Sequence, residues 1–135
     1  TDKIDNVLPE ADILYLALPE TPETKNIINR KRLNLLKPSC GIVNIGRQSA
    51  MDYDALNEKL KKNELAGAIL DVFTPEPIES NSKFWDTPNL VITPHVSADD
   101  GESYIRLTLE LFIKNLELFI GNKPLVNQID KKLGY

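Results

Sequence analysis

The sequence has few of the residues that most often mark a site: its 135 positions hold one cysteine, one histidine, one methionine and one tryptophan. The single cysteine, Cys40, excludes an intramolecular disulfide and any multi-cysteine zinc site, and it fits a reducing compartment. A free cysteine is usually a buried structural residue, with a reactive thiol as the alternative. No apolar run approaches the ~18 residues that a membrane span requires, and the amino end, Thr1-Asp2-Lys3, is charged rather than signal-like. Strong positive charge is missing too. Sixteen Lys and Arg face twenty Asp and Glu, a net charge of -4, and the longest basic run is Arg30-Lys31-Arg32. Without a basic stripe to neutralise phosphates, nucleic acid is not an expected partner. These shortages lead to the expectation of a soluble, cytoplasmic protein with no metal site and no membrane partner.

What is present is enough apolar residue, 41% of the chain, for one core but not for two full domains. The chain opens at Thr1, not Met, directly inside a repeating pattern, and it is expected to be a fragment of a longer polypeptide. Four short apolar runs, Asp12 to Leu18, Gly41 to Ile45, Ala66 to Leu70 and Leu90 to Thr93, each precede turn chemistry. They predict buried strands of a parallel sheet, because they are near-continuously apolar rather than alternating. Asn29 to Leu36 predicts a helix with Leu33 and Leu36 on one face, stopped at Lys37-Pro38 by the restriction that proline places on its predecessor. Asp52 can cap a second helix reaching about Asn63, with Ala55, Leu56 and Leu60 inward and Lys59, Lys61 and Lys62 near its carboxyl end. Strands alternating with helices indicate a doubly wound α/β sheet.

The last third differs. One long helix is predicted from about Asp100 to Ile120, ended by Gly121-Asn122, which supply a left-handed residue. Its apolar positions, Ile105 to Ile120 on one stripe and Leu107, Leu111, Leu118 and Phe119 beside it, are too broad for a surface helix. Such a helix lies deep in one core, or touches the sheet on one side and further polypeptide on the other.

In an open parallel sheet, ligands sit beyond the carboxyl ends of the strands. The first run leads into Leu18-Pro19-Glu20-Thr21, the second into Gly46-Arg47-Gln48, the third into Asp71 with Glu76 a few residues on, and the fourth into Pro94-His95. An arginine, two carboxylates and the one histidine thus converge on a single edge. Each has an ordinary reading: a satisfied structural histidine, a solvated loop glutamate, a surface ion pair for Arg47, a turn cap for Asp71. Together they suit chemistry. A carboxylate such as Glu76 favours a protonated imidazole that can deliver a proton near neutral pH, and the arginine fork matches a small carboxylic acid with two parallel hydrogen bonds.

The strings Asn44-Ile45-Gly46-Arg47, Ala66-Gly67-Ala68-Ile69-Leu70-Asp71-Val72-Phe73, Glu76-Pro77, Pro88-Asn89 and Thr93-Pro94-His95, with the earlier loop Ala17-Leu18-Pro19-Glu20-Thr21-Pro22-Glu23-Thr24, carry a specific likeness. In order, spacing and flanking residues the chain from about Asp12 to Ser97 resembles the D-isomer specific 2-hydroxyacid dehydrogenases. The resemblance implies a Rossmann-like domain in which residues 1–98 are the second half of an NAD(P)-binding domain and residues 99–135 a carboxyl-terminal helix and tail. It implies hydride transfer between NAD(P)H and a 2-keto acid. Arg47 would bind the substrate carboxylate and polarise its carbonyl, His95 would exchange the hydroxyl proton, and Glu76 would keep His95 protonated. Asp71 would meet the nicotinamide end of the cofactor, while Leu18, Pro19, Ile45, Gly46, Ser97 and Ala98 would line its ribose and ring, with Arg47 and His95 also beside it. Pairing of two copies through the cofactor domain is expected by the same resemblance.

Two departures qualify it. Gln48 stands where the family usually has glycine after the arginine, which puts fine substrate preference in doubt. The six glycines, Gly41, Gly46, Gly67, Gly101, Gly121 and Gly134, nowhere form G-x-G-x-x-G, so the turn that cradles a pyrophosphate is absent from these residues, as is the residue that separates NAD from NADP. A substrate domain is absent too, and these residues alone are expected to be inactive. The same fold also serves NAD-sensing corepressors, which leaves a binding module as the alternative to an enzyme.

Overall fold

The computed structural model of the chain describes residues 3–133. Thr1 and Asp2, part of the charged amino end, and Gly134 lie outside the described residues. The chain forms two compact units, Thr1–Ser97 and Ala98–Tyr135.

The first unit is a four-stranded, all-parallel sheet in the order β1-β2-β3-β4, with β1 Ile13–Leu16, β2 Gly41–Asn44, β3 Gly67–Leu70 and β4 Leu90–Ile92. A short helix α1, Ile4–Val7, and a 3₁₀ turn, Leu8–Glu10, precede it. The helix α2, Arg30–Leu33, joins β1 to β2, and α3, Tyr53–Lys61, joins β2 to β3. Each predicted strand is present and slightly shorter than its apolar run. The ladder nevertheless continues past the formal ends: Ile45 N donates to Leu16 O, Asp71 N to Asn44 O and Thr93 N to Leu70 O. The four carboxyl ends therefore finish level.

Register explains the packing. Leu14, Ile42, Ala68 and Leu90 form one cross-sheet row, and Leu16, Asn44, Leu70 and Ile92 the next row on the same face. Leu33, Leu36, Ala55, Leu56 and Leu60 join this face in one core. Both helices lie there because each strand is followed by its sheet neighbour, and parallel crossovers share one hand, which puts helices of successive crossovers in one direction on the same face. On the opposite face the row Tyr15, Val43, Ile69 and Val91 is apolar but largely open, with Tyr15, Ile69 and Val91 exposed. The predicted burial of the strands thus holds for one face of the sheet within these residues.

The helix α3 begins as its sequence predicts: the Asp52 carboxylate accepts a hydrogen bond from Ala55 N at 2.9 Å, and Ala55, Leu56 and Leu60 are fully buried. Replacing Asp52 by Ala should cost about 1 kcal/mol, the usual value of an amino-terminal cap, read as a lower midpoint in urea unfolding. The helix α2 is shorter than expected. Asn29 caps it through Arg32 N, but after Leu33 the chain tightens into turns, with Leu35 N and Leu36 N reaching back three residues. Leu33 and Leu36 still share the buried face.

The second unit carries α4, Tyr104–Ile120, which starts about four residues later than predicted. Asp100 is occupied in a turn of its own, where its carboxylate accepts from Glu102 N and Ser103 N. Asn122, at φ 51°, supplies the left-handed residue beyond the helix, while Gly121 keeps a negative φ. Asn115 ties the tail back to the helix by pairing with both the N–H and the carbonyl of Val126. No residue of α4 is buried, so of the two readings of its broad apolar stripe the one that places it deep in one core is not met. Among the described residues no helix is long and apolar enough to cross a membrane.

Candidate active site

Three turns after β2, β3 and β4 bring the predicted residues together. Glu76 stands on the loop after β3 and is held at both ends: Oε1 accepts from Phe73 N at 2.7 Å, and Oε2 meets His95 Nδ1 at 2.8 Å. The Phe73 amide first, and then His95, hold the Glu76 carboxyl below its ordinary range, with a smaller contribution from the charge of Arg47. Glu76 is therefore a carboxylate at neutral pH and can only accept, so Nδ1 of His95 carries a hydrogen and Nε2 is the ring atom left for exchange. Both side chains remain partly open, His95 at 45% and Glu76 at 38% of full exposure.

The loop that carries Glu76 is braced from below. Tyr53 of α3, Phe73 and Phe84 form an aromatic triangle with ring centroids 5.6 to 5.9 Å apart and Tyr53 edge-on to both partners. A cavity of about 570 Å³ adjoins the pair, walled by Phe73, Ile78, Trp85 and Ile92 together with Asp71, Glu76 and His95.

Arg47 is exposed on the turn after β2, with Nη1 donating to Gly46 O, and among the described residues no carboxylate pairs with it. Its turn is built by Asn44, a fully buried amide in an otherwise apolar strand. Asn44 Nδ2 donates to Arg47 O and Tyr53 OH, Oδ1 accepts from Gly46 N, and Tyr53 OH donates onward to Val72 O. One buried network thus joins the arginine turn to the start of the glutamate loop. Burial pushes the Tyr53 hydroxyl far up, which keeps it a neutral donor. Asn44 enters the sequence analysis only inside the string Asn44-Ile45-Gly46-Arg47, with no role of its own, and Tyr53 does not enter it; an amide ending a strand of apolar residues is the signal that could have found this network.

Leu18 and Ile45 are half-buried and Pro19 is exposed at the ends of β1 and β2. Thr24 holds that first loop by donating to Pro19 O at 2.6 Å. A parallel bridge between Ile28 and Met51 ties it to the turn after Arg47. Gly46 is the closest approach between the two. A Cβ there would lie 2.6 Å from both N and O of Leu18, and since those are backbone atoms one loop would have to move. Gly46→Ala is expected to destabilise by about 1–3 kcal/mol, the range for overpacking, seen as a lower melting temperature.

Asp71 is the most buried charge of the set, 1% exposed. Oδ1 accepts from Thr93 Oγ1 and from Val96 N at 2.9 Å, and Oδ2 accepts from Ser97 N at 2.9 Å. Burial alone would raise its pKa, but the donors of Thr93, Ser97 and Val96 outweigh it and hold the carboxyl far below the ordinary aspartate range. The stabilisation is complete above the unfolded-state pKa and is lost as pH falls through the depressed folded value. His95, between these donors, has φ 57°, the left-handed region that a non-glycine residue seldom occupies. Ala98, the last predicted contact, is the first residue of the second unit.

A parallel sheet whose carboxyl edge presents an open arginine and a paired histidine and glutamate is a Rossmann-like α/β domain, with these side chains on the edge where such sheets bind ligands. Residues 1–97 match the family model for the NAD-binding domain of the D-isomer specific 2-hydroxyacid dehydrogenases, and the chain belongs to that family. Glyoxylate/hydroxypyruvate reductase B of Pectobacterium carotovorum subsp. carotovorum (strain PC1) is 43% identical over 100 residues, which are 74% of this chain and 31% of that protein. Glyoxylate reductase of Pyrococcus furiosus is 40% identical over 116 residues, 86% of this chain and 34% of that protein. The crystal structure of an NADPH-dependent glyoxylate/hydroxypyruvate reductase from Sinorhizobium meliloti, in complex with NADP and sulfate, superposes with a TM-score of 0.90 at 33% identity. It is matched over 100% of this chain and 43% of that one. The chain thus spans less than half the length of each of these relatives.

Proposed function

We propose that the polypeptide containing this chain is an NAD(P)-dependent oxidoreductase that interconverts a small 2-keto acid and the D-2-hydroxy acid. The single observation that carries the reading is the His95–Glu76 pair, 2.8 Å apart on the same sheet edge as Arg47, which pairs with no carboxylate among the described residues. The residues present fit a nicotinamide cofactor: Leu18 and Ile45 leave partly open apolar surface at the ends of β1 and β2, and the buried Gly46 between them presents only backbone. Leu18, Pro19, Ile45, Gly46 and Ser97 would line its ribose and ring, and Asp71 would meet its nicotinamide end. Bound there, the reduced nicotinamide supplies a hydride.

The rest of the reaction falls to the protein. The Arg47 guanidinium binds the substrate carboxylate through its fork and polarises the neighbouring carbonyl. Glu76 holds the His95 ring through Nδ1, and Nε2 gives its proton to the keto oxygen as the hydride arrives at carbon; oxidation of the hydroxy acid returns that proton to the same nitrogen. That the relatives are glyoxylate and hydroxypyruvate reductases supports these two acids as substrates, and the NADP of the Sinorhizobium structure supports the phosphorylated cofactor beside NAD. We further propose that residues 1–98 form the second half of the dinucleotide domain, that two full-length copies pair through it, and that the enzyme works in the cytoplasm, where the lone Cys40 stays reduced.

The test takes the longest natural form of the polypeptide, mixes it with NADH or NADPH and a panel of 2-keto acids that includes glyoxylate and hydroxypyruvate, and follows loss of reduced-nicotinamide absorbance. Turnover supports the reading. Its absence from a folded, cofactor-binding protein overturns it in favour of a binding module.

A further inference from the structure

The carboxylate and the keto group of a 2-keto acid sit on adjacent carbons, so the side chain that grips one and the side chain that protonates the other need a fixed spacing. Arg47 stands on the turn after β2, whereas Glu76 and His95 stand after β3 and β4. Past the end of the β2–β3 ladder, the hydrogen bonds that connect the arginine turn, residues 45–51, with the glutamate loop, residues 72–79, run among the described residues through one atom, the hydroxyl oxygen of Tyr53. Counting hydrogens fixes the direction of each bond. Val72 O can only accept, so it takes the one hydrogen of the hydroxyl at 2.9 Å. The Tyr53 oxygen then accepts at 3.0 Å from Asn44 Nδ2, whose second hydrogen goes to Arg47 O at 3.1 Å, while Asn44 Oδ1 accepts from Gly46 N. Asn44, Tyr53 and Val72 are all buried, so water does not compete for these groups.

Glu76 is reached through a single rigid unit. The carbonyl of Val72 and the N–H of Phe73 belong to one planar peptide group. Tyr53 holds its oxygen, and its N–H donates to Glu76 Oε1 at 2.7 Å. A tilt of that plane shifts Glu76, and with it the bonded His95, relative to Arg47. The Tyr53 ring leaves the hydroxyl little freedom, because it meets Phe73 and Phe84 edge-on at 5.6 and 5.9 Å. Burial pushes the hydroxyl far up, so the link does not titrate near neutral pH.

We propose that Tyr53 is a positioning residue of the active site: its buried hydroxyl, bonded to Asn44 on one side and to Val72 on the other, fixes the spacing between Arg47 and the Glu76–His95 pair. The inference rests on the dehydrogenase reading for its kinetic consequences, and its structural content stands independently. Tyr53 touches neither substrate nor cofactor and acts through the two turns that it joins.

The experiment uses the full-length natural polypeptide with Tyr53→Phe, Arg47→Gln and the double variant. Phenylalanine keeps the ring between Phe73 and Phe84 and removes only the oxygen, so Tyr53→Phe should fold, with a melting temperature a few degrees lower. For the 2-keto acid that wild type reduces fastest, its kcat/KM should fall by about 10- to 100-fold, the scale of a reacting group misplaced by about 1 Å, with cofactor Kd by nicotinamide fluorescence within about threefold of wild type. In the Arg47→Gln background the same change should cost no more than about threefold, since a spacing ceases to matter once one of its ends is gone.

Equal losses in both backgrounds, or no loss in either, overturn the proposal and leave Tyr53 as a packing residue. A crystal structure of Tyr53→Phe tests the placement without turnover. A displacement of about 0.5 Å or more between the Arg47 turn and the Glu76 loop supports positioning, and an unchanged spacing overturns it. Wild type that binds cofactor but reduces no 2-keto acid would instead sink the dehydrogenase reading, and the crystal structure would still answer for Tyr53.

Discussion

His95→Gln in the full-length polypeptide is expected to lower kcat for 2-keto acid reduction by about 10²–10⁴-fold, the usual contribution of a positioned acid–base group. Glutamine is close to histidine in length, and its amide can still donate to the Glu76 carboxylate that His95 meets at 2.8 Å. What it cannot do is carry a proton to a carbonyl oxygen at neutral pH. The loss should therefore fall on kcat, with affinity for reduced cofactor and the melting temperature nearly unchanged, because the ring is 45% exposed and packs in no core. Reduced-nicotinamide absorbance gives the rate, and fluorescence titration gives the cofactor affinity. A variant that retains a tenth or more of wild-type kcat would remove His95 from the chemistry and leave the pair with Glu76 as a surface contact.

Arg47→Gln should lower kcat/KM by about 30- to 5,000-fold, corresponding to about 2–5 kcal/mol for truncating one partner of a buried, hydrogen-bonded charge pair. The side chain is exposed and, among the described residues, bonds only to its neighbour's carbonyl, so the variant should fold as the wild type does. Arg47→Lys should fall between the two, since an ammonium keeps the charge but not the two-pronged geometry. A neutral control separates binding from general damage. On a 2-keto amide, which has no carboxylate, wild type and Arg47→Gln should differ by much less than on the acid. Equal losses on both compounds would contradict the assignment of Arg47 to the carboxylate.

The parts of the fold that were legible share a physical origin. A buried parallel strand needs apolar side chains at nearly every position, and a helix needs a cap and an apolar stripe. Gly41 to Ile45 and Asp52 through Leu60 state those needs in adjacent residues, so β2 and α3 lie within two residues of their predicted ends. Where short-range signals compete, the reading slipped. Asp100 was placed at the start of α4, but its carboxylate closes a turn of its own. The apolar run of α2 reaches Leu36, but the last residues satisfy their amides by three-residue turns rather than by helix.

By itself the sequence determined which elements form, in what order, and that an arginine, two acids and the one histidine end up at the carboxyl edge of a parallel sheet. Strand polarity follows from crossover helices, and strand-end residues follow from strand polarity, so local pattern was sufficient. Only the tertiary structure decided what those groups do to one another. Glu76 turns one oxygen to Phe73 N and the other to His95; Asn44 and Tyr53 knit the arginine turn to the glutamate loop; Asp71 spends its carboxylate on Thr93, Val96 and Ser97. Apart from the local bonds of Glu76 to Phe73 and of Asn44 to Arg47, these contacts join residues distant along the chain, and several depend on a side-chain rotamer or on the left-handed φ of His95. Such choices are settled by the competition among donors, acceptors and burial once the chain has closed around them.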